Sequence, residues 1–167
     1  MKPLLYISGP YSAPTLIQRE QNILNAKERY IRAMRSGEWW AVCPHTHTAG
    51  MEIHLPEWKH EEWIAYDISL LRMCDAIWIS PSASLHMSHG TYLELAWAIL
   101  ANMPIMVNTE VLTKDYVYDS SGLITGEIPC SSWLNKSEIN QALVEMTRMV
   151  CKGIVDEPQL YKGSVLR

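Results

Sequence analysis

Apolar positions along this chain fall into short solid runs separated by longer amphipathic ones. Leu4 to Ser8 is a run with no polar alternation, as expected for a strand buried on both faces, and Gly9-Pro10 stops it. From about Thr15 to Arg35 the period becomes helical, with Ile23, Ala26, Tyr30, Ile31 and Met34 along one side and Ser36-Gly37 as the stop. Trp39 to Cys43 reads as a second strand ended by Pro44, and residues 44–57 as a histidine-containing loop. A helix is expected from roughly Glu57 to Met73, then a strand over Asp75–Ile79 ended by Ser80-Pro81-Ser82. A further helix spans about Ser88 to Ala101, Asn102-Met103-Pro104 breaks it, and Ile105–Val107 forms a fourth strand. The pattern blurs over 109–134, which holds Ser120-Ser121-Gly122 and is read as short irregular strands, and a last helix follows from about Lys136 to Cys151.

Strands alternating with helices through short connections predict βαβ units and a parallel sheet of α/β class. A chain of 167 residues is read as a single domain over residues 1–152, with 153–167 as a C-terminal tail at the surface. In such sheets ligands bind beyond the carboxyl ends of the strands. That rule gathers Ser8-Gly9-Pro10-Tyr11, the histidine loop, Ser80-Pro81-Ser82 and Asn108 on one edge, with Glu94 on the helix that enters from it.

Composition narrows the partners. A net charge of −4 and a pI near 5.8 argue against binding polymeric nucleic acid, while leaving a small anionic metabolite open. No apolar run is long enough to cross a bilayer, and the N-terminal apolar segment is too short for a signal peptide. Cysteines at 43, 74, 130 and 151 have no C-x-x-C spacing, so buried free thiols in a cytoplasmic protein are expected. His45, His47, His54 and His60 resemble a ligand set only superficially, because no cysteine pair joins them and Glu52 is not spaced as in H-E-x-x-H. No metal and no redox cofactor is expected. The chain has no G-x-G-x-x-G, Walker A or G-x-S-x-G sequence.

The segment Ser88-His89-Gly90-Thr91-Tyr92-Leu93-Glu94 carries the sharpest chemical signal. Ser88 and Gly90 at a helix entrance leave backbone N–H groups free for an anion or a polar sugar. Glu94, one turn inside among Leu93, Leu95 and Ala96, could act as a nucleophile, or could be an ordinary first-turn acid favoured by the helix dipole. Asp67 could serve as a general acid facing it, or be a solvated helix carboxylate bonded to Arg72. Tyr6 could orient Glu94 or simply fill the core.

The order Tyr6-Ile7-Ser8-Gly9-Pro10-Tyr11-Ser12, Pro44-His45, Asp67-Ile68-Ser69-Leu70-Leu71-Arg72-Met73-Cys74-Asp75-Ala76 and Ser88-x-Gly90-x-x-x-Glu94 resembles the nucleoside 2-deoxyribosyltransferase superfamily over about residues 4–108. That group includes 2′-deoxynucleoside 5′-monophosphate N-glycosidases. The resemblance implies a flavodoxin-like three-layer sandwich with a parallel sheet of four to five strands. It also implies cleavage or exchange of the N-glycosidic bond of a nucleoside or nucleoside 5′-monophosphate.

By position, Glu94 would be the nucleophile at C1′, Asp67 would assist the departing base, and Tyr6 would orient Glu94. Ser8, Gly9, Pro10, Tyr11, His45, Ser88, Gly90 and Asn108 would contact substrate. Ser12 and Ala13 stand where the monophosphate hydrolases of that group often place an arginine, which leaves a 5′-phosphate open. Family members complete their sites from a neighbouring subunit, so a homodimer or higher homo-oligomer is expected. The alternative from another class is a non-catalytic nucleotide-binding or sensing module of the same fold.

Overall fold

A computed structural model describes residues 1–79, 88–107, 110–112 and 135–159. Strands β1 (Leu4–Ser8), β2 (Trp40–Val42), β3 (Ala76–Ile79), β4 (Ile105–Val107) and β5 (Glu110–Leu112) form one sheet in the order β2-β1-β3-β4-β5. The first four are parallel, and β5 is an antiparallel edge strand on β4. Helices α1 (Leu16–Ser36), α2 (Pro44–Thr48), α3 (His60–Leu71), α4 (His89–Leu100) and α5 (Lys136–Cys151) complete the described elements, with a 3-10 turn at Met51–Ile53. The result is an α/β, flavodoxin-like three-layer sandwich. Strand order reverses direction at β1, so its carboxyl end, between β2 and β3, is where a crevice is expected.

Each face of the sheet has its own core. Leu5, Ile7, Ala76 and Trp78 point to one side and pack with Ala26 and Ala33 of α1, together with Trp39 and Cys43. Tyr6, Ile77, Ile79 and Ile105 point to the other, against Ile64 and Ile68 of α3, Leu93 and Trp97 of α4, and Leu143 and Met146 of α5. Helix α4 is sandwiched between sheet and neighbouring helices, so every residue from Thr91 to Ile99 is buried. A helix apolar on all sides is the sequence form of that position. Glu94 is its exception.

Local signals account for the ends. Thr15 Oγ1 accepts from the Gln18 N–H to cap α1, and Gly37, with φ 76°, closes it in the left-handed conformation. Asn135 caps α5 by accepting from the N–H groups of Ser137 and Glu138. Several expected boundaries shift. The stretch read as a loop over 44–57 contains α2 and the 3-10 turn, and α3 begins at His60 rather than Glu57. Ile31, expected on the packed side of α1, is exposed, and Asn22 takes a buried position instead.

Beyond α5 the chain turns back onto the core: Val155 is buried there, and Asp156 pairs with Arg72. The surface tail expected from residue 153 therefore begins as packed structure. Cys43 and Cys74 are buried thiols, while Cys151 is exposed, against expectation. Among the described residues no helix is long and apolar enough to cross a membrane.

Candidate active site

A cavity of about 440 Å³ opens at the carboxyl ends of β1, β2 and β3. Gly9, Tyr11 and Ser12 from the loop after β1 form one wall, and Pro44, His45, Thr48 and Glu52 from the segment after β2 form the next. Trp63, Ile64 and Asp67 of α3 face Ser88, Gly90, Thr91 and Glu94 of α4 across it.

Glu94 is 6% exposed and nevertheless has its carboxylate fully engaged. The Tyr6 hydroxyl donates to Oε1 at 2.6 Å, and the Ser8 hydroxyl donates to Oε2. Both donors come from alternate positions of β1, because a period of two puts residues 6 and 8 on one face of the sheet. A buried carboxylate is costly without such donors, and hydrogen bonds to a charged group contribute roughly 1.5–3 kcal/mol each. Burial pushes the Glu94 carboxyl up to about 7, while the bonds from Ser8 and Tyr6 pull it back down.

Asp67 has no comparable support. Its Oδ1 is cut off from solvent and has no hydrogen-bond partner among the described residues. Burial, and next the nearby Glu94 charge, push its carboxyl up to about 8. Two neighbouring buried carboxyls do not both ionise readily, so near neutral pH the pair retains one proton. The donors on Glu94 favour the anion there, which leaves the proton on Asp67. The arrangement thus holds a fixed carboxylate and a neutral carboxylic acid in one cavity, the combination used for nucleophile and general acid. Arg72, the partner of Asp67 in the alternative reading as a solvated helix carboxylate, pairs with Asp156.

His45 is buried and pins the first loop. Its Nε2 lies 3.1 Å from the Pro10 carbonyl, which can only accept, so Nε2 carries the hydrogen. Burial pushes the imidazole below its usual range and keeps it neutral. Nδ1 is then a bare acceptor, with no partner among the described residues.

At the helix entrance, Ser88 Oγ lies 2.7 Å from Thr91 Oγ1 and makes no capping bond to the helix backbone. Ser88 thus leaves the first N–H groups of α4, which face the cavity mouth, without a side-chain cap of its own. Neither a positive φ nor crowding demands glycine at position 90, where a Cβ would meet Ile64 Cδ1 at an ordinary 3.5 Å.

Residues 3–108 match a family described as a domain of unknown function, DUF7768. The chain belongs to that family. The match spans β1 to β4 and so contains every residue named in this cavity. No curated protein matches the chain.

Of the residues singled out from the sequence, Glu94, Asp67 and Tyr6 come together, and Gly9, Tyr11, His45, Ser88 and Gly90 line the cavity. Ser8 and Pro10, expected against substrate, serve the site indirectly: one holds Glu94 and the other anchors His45. Asn108 and Ser80-Pro81-Ser82 lie outside the described residues. His47 and His54 are exposed away from the cavity lining, and among the described residues no His, Cys, Asp and Glu groups cluster as metal ligands.

Sequence reasoning missed Arg19 and Glu52, which meet in the cavity wall at 3.0 Å from positions 33 residues apart. No local pattern announces such a pair. It also missed Thr91, for which Ser88-x-x-Thr91 at a helix entrance was an available signal.

Proposed function

We propose that this protein cleaves or exchanges the N-glycosidic bond of a nucleoside or nucleoside 5′-monophosphate through Glu94. The observation that carries the reading is the unequal carboxyl pair: Glu94 accepts from the Tyr6 and Ser8 hydroxyls, while the half-buried Asp67 has an unpartnered, solvent-shielded Oδ1 among the described residues. The motif resemblance to nucleoside 2-deoxyribosyltransferases supports the same assignment.

Glu94 attacks C1′ of the sugar, and the C1′–N bond breaks with its electron pair leaving on the base. The proton on Asp67 goes to the base nitrogen as it departs. The resulting glycosyl ester on Glu94 is opened by water or by a second base at C1′, and Asp67, now a carboxylate, takes the proton of the incoming group. Tyr6 acts through Glu94 and is a positioning residue. The N–H groups at the start of α4 serve the polar end of the sugar.

The test is incubation with a panel of nucleosides and 5′-monophosphates, with free base followed by chromatography. Base release by the wild-type protein and its loss in a folded Glu94→Ala variant are expected. Tight ligand binding without release of base would replace this reading with a non-catalytic nucleotide-binding module. Equal release by the variant would remove Glu94 from the chemistry.

A further inference from the structure

The wall made by Tyr11, Arg19, His45 and Glu52 is not used by the bond-breaking pair. Tyr11 Oη lies 2.9 and 3.1 Å from the two Glu52 oxygens and accepts from the Gly50 N–H at 3.1 Å. Gly50 has φ 81°, a conformation that suits glycine, so the backbone itself turns to make this bond. Arg19 Nη1 donates to Glu52 Oε1 at 3.0 Å, and its guanidinium stands 5.8 Å from the Tyr11 ring centroid. The Tyr11 ring in turn meets His45 edge-on at 5.8 Å. The four side chains are thus one connected unit, and all four line the cavity.

Within that unit the guanidinium is matched by a carboxylate, and the imidazole is kept neutral by burial. The wall's acceptors stand beside a guanidinium whose charge Glu52 already balances. His45 Nδ1 is buried and unpartnered among the described residues, and Glu52 retains lone pairs beyond those taken by Tyr11 and Arg19. The other histidines lining the cavity follow the same rule: His89 pairs with Glu145 at 3.0 Å, and burial and the neighbouring His89 push His60 below its usual range.

We propose that Glu52 is a specificity residue, and that with His45 it selects an uncharged nucleoside, which presents hydroxyl or amino hydrogens, over the corresponding 5′-phosphate ester. This rests on the nucleoside reading of the cavity. A phosphate entering here meets the Glu52 charge and must compete with it for Arg19, whereas a hydroxyl or amine donates to the wall as it stands. Rejection through a repulsive group is a standard source of specificity.

The experiment is equilibrium binding at pH 7 of the four 2′-deoxynucleosides, the four ribonucleosides and all their 5′-monophosphates to wild type and Glu52→Gln. Free base is measured in the same samples. At least one nucleoside should bind wild type roughly tenfold or more tighter than its monophosphate. Glu52→Gln keeps the shape and an acceptor but frees Arg19, so it should shift the preference about tenfold toward the monophosphate. A monophosphate bound as tightly as its nucleoside by wild type, failure of every ligand to bind, or equal weakening of both classes in the variant would overturn the proposal. The wild-type ratio decides on its own should the variant fail to fold. Selective nucleoside binding without free base would leave this selectivity standing and overturn the catalytic reading alone.

Discussion

Strand β1 presents two different proteins to its two sides. Toward α1, Leu5 and Ile7 enter a core of aliphatic and aromatic side chains that does nothing but pack. Toward α3 and α4, Tyr6 and Ser8 place hydroxyls on a buried carboxylate. Both faces are fully buried, so burial alone does not distinguish them. The difference lies in what each face would lose: packing volume on one side, a set of charge-directed hydrogen bonds on the other. A buried acid is retained only where its donors are supplied, and here the sheet supplies them from consecutive same-face positions.

Alanine substitutions on the two faces should separate those roles most sharply. Glu94→Ala is expected to lower base release by at least about 10³-fold, as removal of a covalent nucleophile does. It also leaves the Tyr6 and Ser8 hydroxyls without their acceptor, at a cost of about 1–3 kcal/mol in urea unfolding. Leu5→Ala should do the reverse. It costs about 2–5 kcal/mol of stability, with kcat and KM of the folded fraction near wild type. Catalytic loss from Leu5→Ala without loss of stability would show that the α1 face is coupled to the site.

Tyr6→Phe probes the functional face more gently. The ring still fills its place, but Glu94 loses one of the two donors that lower its pKa. Activity should fall about ten- to a hundredfold as the carboxylate loses orientation. The acid limb of the pH–rate profile should move to higher pH, because less of Glu94 is ionised at a given pH. A merely structural tyrosine would lower stability and leave that limb in place.

Much of the fold is legible in the sequence. Solid apolar runs located the parallel strands, and their alternation with amphipathic runs led to the sheet; Glu94, Asp67 and Tyr6 were identified as a set. What could not be read was geometry created by chain crossings. Arg19 and Glu52 sit in separate elements with no shared period, and α2 and the 3-10 turn are too short to show one. The motif resemblance implies that Ser8 contacts substrate, whereas its hydroxyl lies on the same face of β1 as that of Tyr6 and donates to Glu94. Ile31 followed the helical period of α1 and is exposed all the same, since the sheet covers only part of that helix.

The carboxyl pair also makes the two faces differ in their response to pH. Activity should follow a bell, rising as the carboxyl pair loses its first proton and falling as it loses its second, with both steps above the usual carboxyl range. Stability runs in one direction. Both groups are held above their usual carboxyl range in the folded state, so the folded protein binds more protons than the unfolded chain between those limits. Their contribution is full below about pH 4 and is lost as pH rises through 7 and 8. Thermal melts from pH 5 to 9 should show this loss in wild type and a smaller one in Asp67→Asn. An equal slope in the variant would mean that Asp67 is not the group held neutral.

The smallest expected effect tests the mouth of the cavity rather than its floor. Gly90 lies in the first turn of α4, in helical backbone and with room for a methyl group beside Ile64 Cδ1, which also belongs to the cavity wall. Gly90→Ala should therefore leave stability unchanged or raise it by up to about 1 kcal/mol, since alanine is the better helix former. The added methyl narrows the approach to the N–H groups at the helix start, and KM should rise about tenfold while kcat changes little. A glycine kept for packing would show the opposite, a loss of stability with KM unchanged. That outcome would move position 90 to the class of Leu5 and Ile7, leaving Glu94 and its two hydroxyl donors as the functional core of the site.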